Sequence, residues 1–194
     1  MTVKILKKNN YNTKKWTGGE STEIFIFPED ASLENRDFIF RISSATCLEE
    51  KSKFSDFTGY NRYITSLDET LKLINKNKEL SLNPYEIFFF DGKDETYSKS
   101  KVRDFNLILK KGYNATYRTE SISEKVDLCF EEGIVLIFIP EGNIRIGVGD
   151  DYSDLDTFDS VLIRQKEEIT LESIDKNYTK VIIVEVEVDL DERL

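Results

Sequence analysis

Side chains able to do chemistry fall in three stretches of the 194-residue chain. The first runs from Trp16 through Gly18 and Gly19 to Glu23 and holds the only tryptophan. Trp16 can plug a barrel mouth above the glycine turn, or it can wall a pocket in which Glu23 is the polar anchor; the residues alone leave both open. No G-x-G-x-x-G pattern and no Lys-Ser/Thr ending accompanies the glycines, so they do not form a phosphate loop. The second stretch pairs Arg41, in Arg41-Ile42-Ser43, with Arg62, in Phe57-Thr58-Gly59-Tyr60-Asn61-Arg62. Two arginines that converge present a fork suited to a carboxylate, whereas on separate solvated faces they are ordinary surface charges. The third stretch is Asp104-Phe105-Asn106. Alternation along a strand puts Asp104, Asn106 and Ile108 on one face and Phe105, Leu107 and Leu109 on the other. That polar face points either into a cavity or to water. Glu23 and Asp104 are the candidate catalytic bases, provided that burial raises a carboxyl pKa toward neutrality.

The composition removes whole classes of function. With no histidine there is no imidazole base, no Ser-His-Asp or Cys-His nucleophile and no imidazole-bound metal. Cys47 and Cys129 are too far apart in sequence for a C-x-x-C motif and read as small hydrophobes. Acidic clusters at Asp91, Asp94 and Glu95, and at Asp150, Asp151, Asp154 and Asp156, lack EF-hand spacing. No metal and no cofactor is expected. The 27 basic and 37 acidic residues give a net charge of −10, which repels phosphate backbones and anionic lipid, so neither nucleic acid nor membrane is an expected partner. No apolar run follows Met1 and none approaches a spanning length of about 18 residues. A cytoplasmic location is therefore expected.

The elements that must position these residues are strands. Gly (9) and Pro (3) are scarce beside Phe (13) and Tyr (9), a balance that favours sheets. In residues 37–44, Phe38, Phe40 and Ile42 alternate with Ile39, Arg41 and Ser43. Further strands are predicted at 22–27, 71–74, 86–90, 105–109, 115–119, 126–130, 134–139, 144–148, 160–164 and 180–188. Polar turns separate them, including Asn75-Lys76-Asn77-Lys78 and the stretch from Gly149 to Asp154. Only residues 30–37 and 121–127 hint at helical turns. Many short strands between polar turns predict an all-β sandwich or barrel.

An internal repeat appears at an offset of 73 residues. Leu71 and Leu73 fall on Ile144 and Ile146, Leu82 on Leu155, Tyr85-Glu86 on Phe158-Asp159, and Ile87-Phe88-Phe89 on Ser160-Val161-Leu162. Such self-similarity predicts two versions of one antiparallel unit, with no Pro-, Gly- or Ser-rich linker between them.

Taken in order, the motifs resemble the HutD/Ves family of small cupin-like proteins. Trp16, Gly19, Thr22, Glu23 and Ile24 match its opening signature, followed by Arg41-Ile42-Ser43 with Ala45, and then Phe54-Ser55, Phe57, Gly59 and Arg62. Leu82 with Pro84, Phe88 with Phe90 and Gly92, and Asp104-Phe105-Asn106 complete the likeness. The resemblance implies an all-β, cupin-like double-stranded β-helix, or jelly roll, in a bicupin arrangement of two small barrels. One compact domain, 1–194, would have halves of roughly 1–110 and 111–194.

Part of the family is linked to histidine utilisation as an accessory or regulatory component, another part to a stress response, and no reaction is assigned to either. A small carboxylate metabolite such as N-formylglutamate is the ligand this implies. The expected ligand-binding residues are Trp16, Glu23, Arg41, Ser43, Phe57, Arg62, Asp104 and Asn106. Three functions remain open: such a binding protein; a metal-independent isomerase, epimerase or hydrolase with Glu23 or Asp104 as base and a tyrosine or lysine as acid; and an interaction or structural module without a working pocket. A homodimer is preferred over a monomer.

Overall fold

The computed structural model describes residues 3–16, 18–174 and 178–190. Apart from a single 3-10 turn at Lys8–Asn10, all regular structure among them is β. No helix is long and apolar enough to cross a membrane. The chain forms two units, one of residues 11–113 and one of residues 114–190 together with 3–10. The opening strand β1 (Val3–Leu6) thus belongs to the C-terminal unit, where it pairs with a strand near residue 160.

The N-terminal unit contains β2 (Asn12–Trp16), β3 (Gly19–Phe27), β4 (Phe40–Cys47), β5 (Ser52–Lys53), β6 (Tyr60–Ser66), β7 (Leu71–Asn75), β8 (Lys78–Leu82), β9 (Phe88–Asp91), β10 (Thr96–Ser98) and β11 (Arg103–Lys110). They form a six-stranded sheet ordered β2-β3-β4-β11-β6-β9 and a four-stranded sheet ordered β5-β10-β7-β8. The C-terminal unit adds β12 (Ala115–Ile122), β13 (Val126–Phe130), β14 (Ile134–Glu141), β15 (Ile144–Val148), β16 (Asp151–Leu155), β17 (Ser160–Arg164), β18 (Glu167–Ser173) and β19 (Thr179–Val186). Its sheets run β1-β17-β14-β19-β12 and β13-β18-β15-β16. All pairings are antiparallel.

The two strand orders repeat one plan. Read from the β9 edge, β9-β6-β11-β4 corresponds to β17-β14-β19-β12, and β5-β10-β7-β8 to β13-β18-β15-β16. The 73-residue offset falls on equivalent hairpins: Leu71 opposes Leu82 as Ile144 opposes Leu155. Tyr85 and Phe158, also 73 apart, both take the left-handed conformation, with φ of 69° and 72°.

Each unit buries apolar side chains from both of its sheets. In the C-terminal unit Val135, Ile137, Ile139, Val181 and Ile183 pack with Ile146, Leu155, Ile169 and Leu171. Full burial of each such side chain contributes roughly 1.5–3 kcal/mol before entropy is counted. In the N-terminal unit Ile64 and Phe90 meet Leu71 and Leu73 from the opposite sheet, while Ile26, Phe38, Phe57, Tyr60 and Ile108 form a second cluster.

Three predicted strands, 126–130, 144–148 and 160–164, coincide with β13, β15 and β17. Others differ for identifiable reasons. The strand predicted from Asp37 begins at Phe40, and Phe38 does not follow its alternation: it packs with Phe57, Tyr60 and Ile108. The helical hint at 30–37 is a capped turn, in which Asp37 accepts from the Ser32 N–H and Ser32 Oγ from the Asn35 N–H. Residues 121–127 are the end of β12 and the start of β13. The polar stretch after Gly149 enters the edge strand β16, where Asp154 pairs with Arg145 of the neighbouring strand. Asn75-Lys76-Asn77-Lys78 is a two-residue hairpin with φ of 48° and 64° at its centre, the geometry that fits strand twist, and so carries the chain into an unpredicted β8.

Candidate functional site

Three neighbouring strands of the N-terminal unit bring the singled-out polar residues together. On the inner face of β4, β11 and β6, register aligns Arg41, Ile108 and Arg62 in one row, Ser43, Asn106 and Ile64 in the next, and Ala45, Asp104 and Ser66 in the third. Strand alternation makes each row share that face. All of these but Ile64 and Ser66 line a cavity of about 290 Å³, which Ser52 and Lys53 of β5, Phe54, and Ser98 of β10 wall from the other side. Trp16 lies along it, 42% exposed. Trp16, Arg41, Ser43, Phe57, Arg62, Asp104 and Asn106 all line this one cavity; Glu23 does not, and pairs instead with Arg41.

Arg41 and Arg62 are both buried, yet their surroundings differ. Arg41 donates from Nε to Glu23 Oε2 at 2.6 Å and from Nη1 to Ser43 Oγ at 2.8 Å. Glu23 faces Ser43 across β3 and β4, and the register shift after Glu23 marks where β3 changes its alignment. Among the described residues Arg62 has no ion pair of this kind. Its Nη2 donates to Asn106 Oδ1 at 2.9 Å, and its buried Nε has no hydrogen-bond partner. Three aromatic rings surround the guanidinium, with centroids at 4.8 Å for Phe54, 5.1 Å for Phe90 and 5.6 Å for Phe57. Desolvation lowers its pKa to about 10, so it stays charged at neutral pH. The two arginines therefore do not form an open fork; Arg62 is the cation with a free donor.

Asp104 completes the polar chain. Asn106 Nδ2 donates to Asp104 Oδ1 at 2.6 Å, and the Ala45 backbone N–H donates to the same oxygen at 3.3 Å. Burial raises the Asp104 pKa to about 7, against the opposing pull of the Asn106 hydrogen bond, the Arg62 charge and the Ala45 N–H; Asp68 adds a smaller push upward.

Phe54 and Phe90 complete the ring cage and were not singled out as ligand residues from sequence, where they figured only in the family-like motifs. The three-residue spacing of Phe54 and Phe57 is the one local signal, and it carries no direction because both lie in the loop between β5 and β6. The acidic clusters are engaged elsewhere: Asp91 pairs with Lys111 and Lys93, and Asp94 with Lys76. Among the described residues no group of three His, Cys, Asp or Glu is placed to hold a metal ion.

Comparison with known proteins adds the family context. The sequence pattern of HutD matches residues 8–180. An uncharacterised 21.2 kDa protein in the hutC 3' region of Pseudomonas putida is 27% identical over 175 residues, covering 86% of this chain and 90% of that protein. A conserved protein of unknown function from Pseudomonas aeruginosa PAO1 superposes with a TM-score of 0.85 at 23% identity, covering 97% of this chain and all of that one. HutD from Pseudomonas fluorescens SBW25, solved in a formate condition, gives a TM-score of 0.74 at 21% identity, over 96% of this chain and 100% of that one. At these identities the solved structures show the fold, an all-β cupin-like one.

Proposed function

The chain belongs to the HutD family, and on that premise we propose that it is a non-catalytic or regulatory protein of histidine utilisation that binds a small carboxylate metabolite, such as N-formylglutamate, in the cavity of its N-terminal unit. The observation that carries this reading is Arg62: a guanidinium 7% exposed, caged by three rings, with a partnerless Nε. A buried charge with an unmet donor costs several kcal/mol unless something completes it. A carboxylate fits, because its two oxygens can engage the guanidinium edge with charge-assisted hydrogen bonds. Phe54, Phe57 and Trp16 supply apolar wall, and Ser43, Ser98 and Lys53 the polar surroundings. The shared strand order further supports reading each unit as one cupin barrel, two to the chain.

The enzymatic alternative draws on Asp104, whose pKa of about 7 suits a general base. Its Oδ1 is already held by Asn106 and Ala45. Among the described residues no tyrosine lines the cavity, and Lys53 is paired with Glu95. The acid partner that such chemistry needs is missing from this arrangement, which favours binding. Calorimetric titration with N-formylglutamate, glutamate and urocanate tests the proposal. Saturable heat with one of them, lost in Arg62→Met, is the expected result. No heat and no thermal shift with any of them at millimolar concentration would overturn it.

A further inference from the structure

We propose that Asp104 is a positioning residue that takes up a proton when an anion enters the cavity, acting through Asn106 on Arg62, a role that rests on the carboxylate-binding reading above. Hydrogen bonding gives the chain one direction. Arg62 Nη2 donates to Asn106 Oδ1, and Asn106 Nδ2 donates to Asp104 Oδ1. An ionised carboxylate only accepts, so Asp104 holds the amide with its nitrogen inward and its oxygen toward Arg62. That leaves the Arg62 Nε as an unfilled donor of this cation among the described residues.

The charges around Asp104 make its proton the adjustable one. From β6 it faces Arg62; from β4, Arg41, which Glu23 of β3 already neutralises, and Cys47; from the opposite sheet, Lys53, which Glu95 holds; and from the turn after β6, Asp68. Without a second anion nearby, Arg62 and Asp104 balance one another. A bound carboxylate puts a second negative charge on the same cation in a desolvated space, and close like charges cannot both stay ionised there without cost. The ligand carboxylate, with an ordinary pKa near 4 and direct contact with the guanidinium, keeps its charge. Asp104, with a pKa of about 7 before anything binds, accepts a proton from solvent. Its other oxygen then carries an O–H while Oδ1 still accepts from Asn106. Ser66, directly opposite Asp104 in register, has a buried hydroxyl without a partner that this new donor can serve.

The test is calorimetry of the full chain with N-formylglutamate at about pH 8 in two buffers of different ionisation enthalpy, plus affinities from about pH 6 to pH 8.5. The expected result is uptake of more than about half a proton per ligand and an affinity that falls by up to about tenfold per pH unit above pH 7. Asp104→Asn should bind with no proton uptake and a flat pH profile. Binding by the parent protein with no proton exchange and a flat profile overturns the role of Asp104 and leaves the carboxylate site standing. No binding at any pH overturns both. Uptake that persists in Asp104→Asn assigns the proton elsewhere and also overturns it; where that variant does not fold, the two-buffer result on the parent protein decides alone.

Discussion

The two units share a strand order but fill it differently. Register equates the positions: Arg62 lies between Phe90 and Ile108, as Val135 lies between Ile163 and Glu185. By the same alignment Asn106 corresponds to Ile183 and Asp104 to Val181. The three-member polar chain of one unit is thus Val135, Ile183 and Val181 in the other, all within a continuous aliphatic core. The charged groups on the matching sheet of the C-terminal unit stand nearer solvent instead. Arg118 pairs with Glu120 at 2.7 Å and with Glu185, each about one-third exposed, at positions that correspond to Ser43, Ala45 and Ile108. The same sheets are therefore stable with an apolar interior. A buried arginine is not required by the fold, and its presence in one unit alone, at a cost in desolvation, points to a ligand.

Exchanging features between the units tests that conclusion. The largest effect is expected for Val135→Arg, which puts a guanidinium into an apolar core with no Asn or Asp to meet it and with its cross-strand neighbour Glu185 already held by Arg118. It should lower stability by more than about 4 kcal/mol or prevent folding, read by urea denaturation; a loss below about 1 kcal/mol would mean that the interior of the C-terminal unit is no drier than the cavity. Arg62→Met should keep stability within about 1 kcal/mol, because the lost cage contacts are offset by relief of desolvation, yet weaken carboxylate binding by roughly 2 to 5 kcal/mol. Calorimetry and denaturation on the same sample separate the two, and intact affinity would remove Arg62 from the site.

A smaller effect concerns pH. Asp104 has a folded pKa of about 7 against an ordinary value of 3.8, so the folded state holds its proton more tightly than the unfolded state does. The stability that this contributes is fully present below about pH 4 and is lost as pH rises through 7, by roughly 1 to 4 kcal/mol. Denaturation curves from about pH 4 to pH 8 should show this slope in the parent protein relative to Asp104→Asn; parallel curves would place the Asp104 carboxyl in contact with water. The smallest effect is expected for Arg118→Met, whose partly exposed pairs contribute about 0 to 1 kcal/mol and weaken further in salt. A loss above about 2 kcal/mol would mark that cluster as a structural centre in its own right.

What the sequence by itself determined is local. Alternation put Asp104, Asn106 and Ile108 together on one face of their strand and Arg41 with Ser43 together on one face of theirs, and both groupings hold because side-chain direction follows from the pleat of the strand. The absence of histidine excluded imidazole chemistry outright, and the 73-residue repeat anticipated hairpins with matching register. Tertiary structure alone decided which polar face was enclosed, since Arg41 and Asp104 would look the same in sequence had their faces met water. It also made the two arginines unequal, because Glu23 reaches Arg41 only through the pairing of β3 with β4. Phe54 and Phe90 surround Arg62 from positions 36 residues apart in the chain. Such enclosure depends on the register between strands distant in sequence and on the facing sheet, and neither quantity has a local period to read.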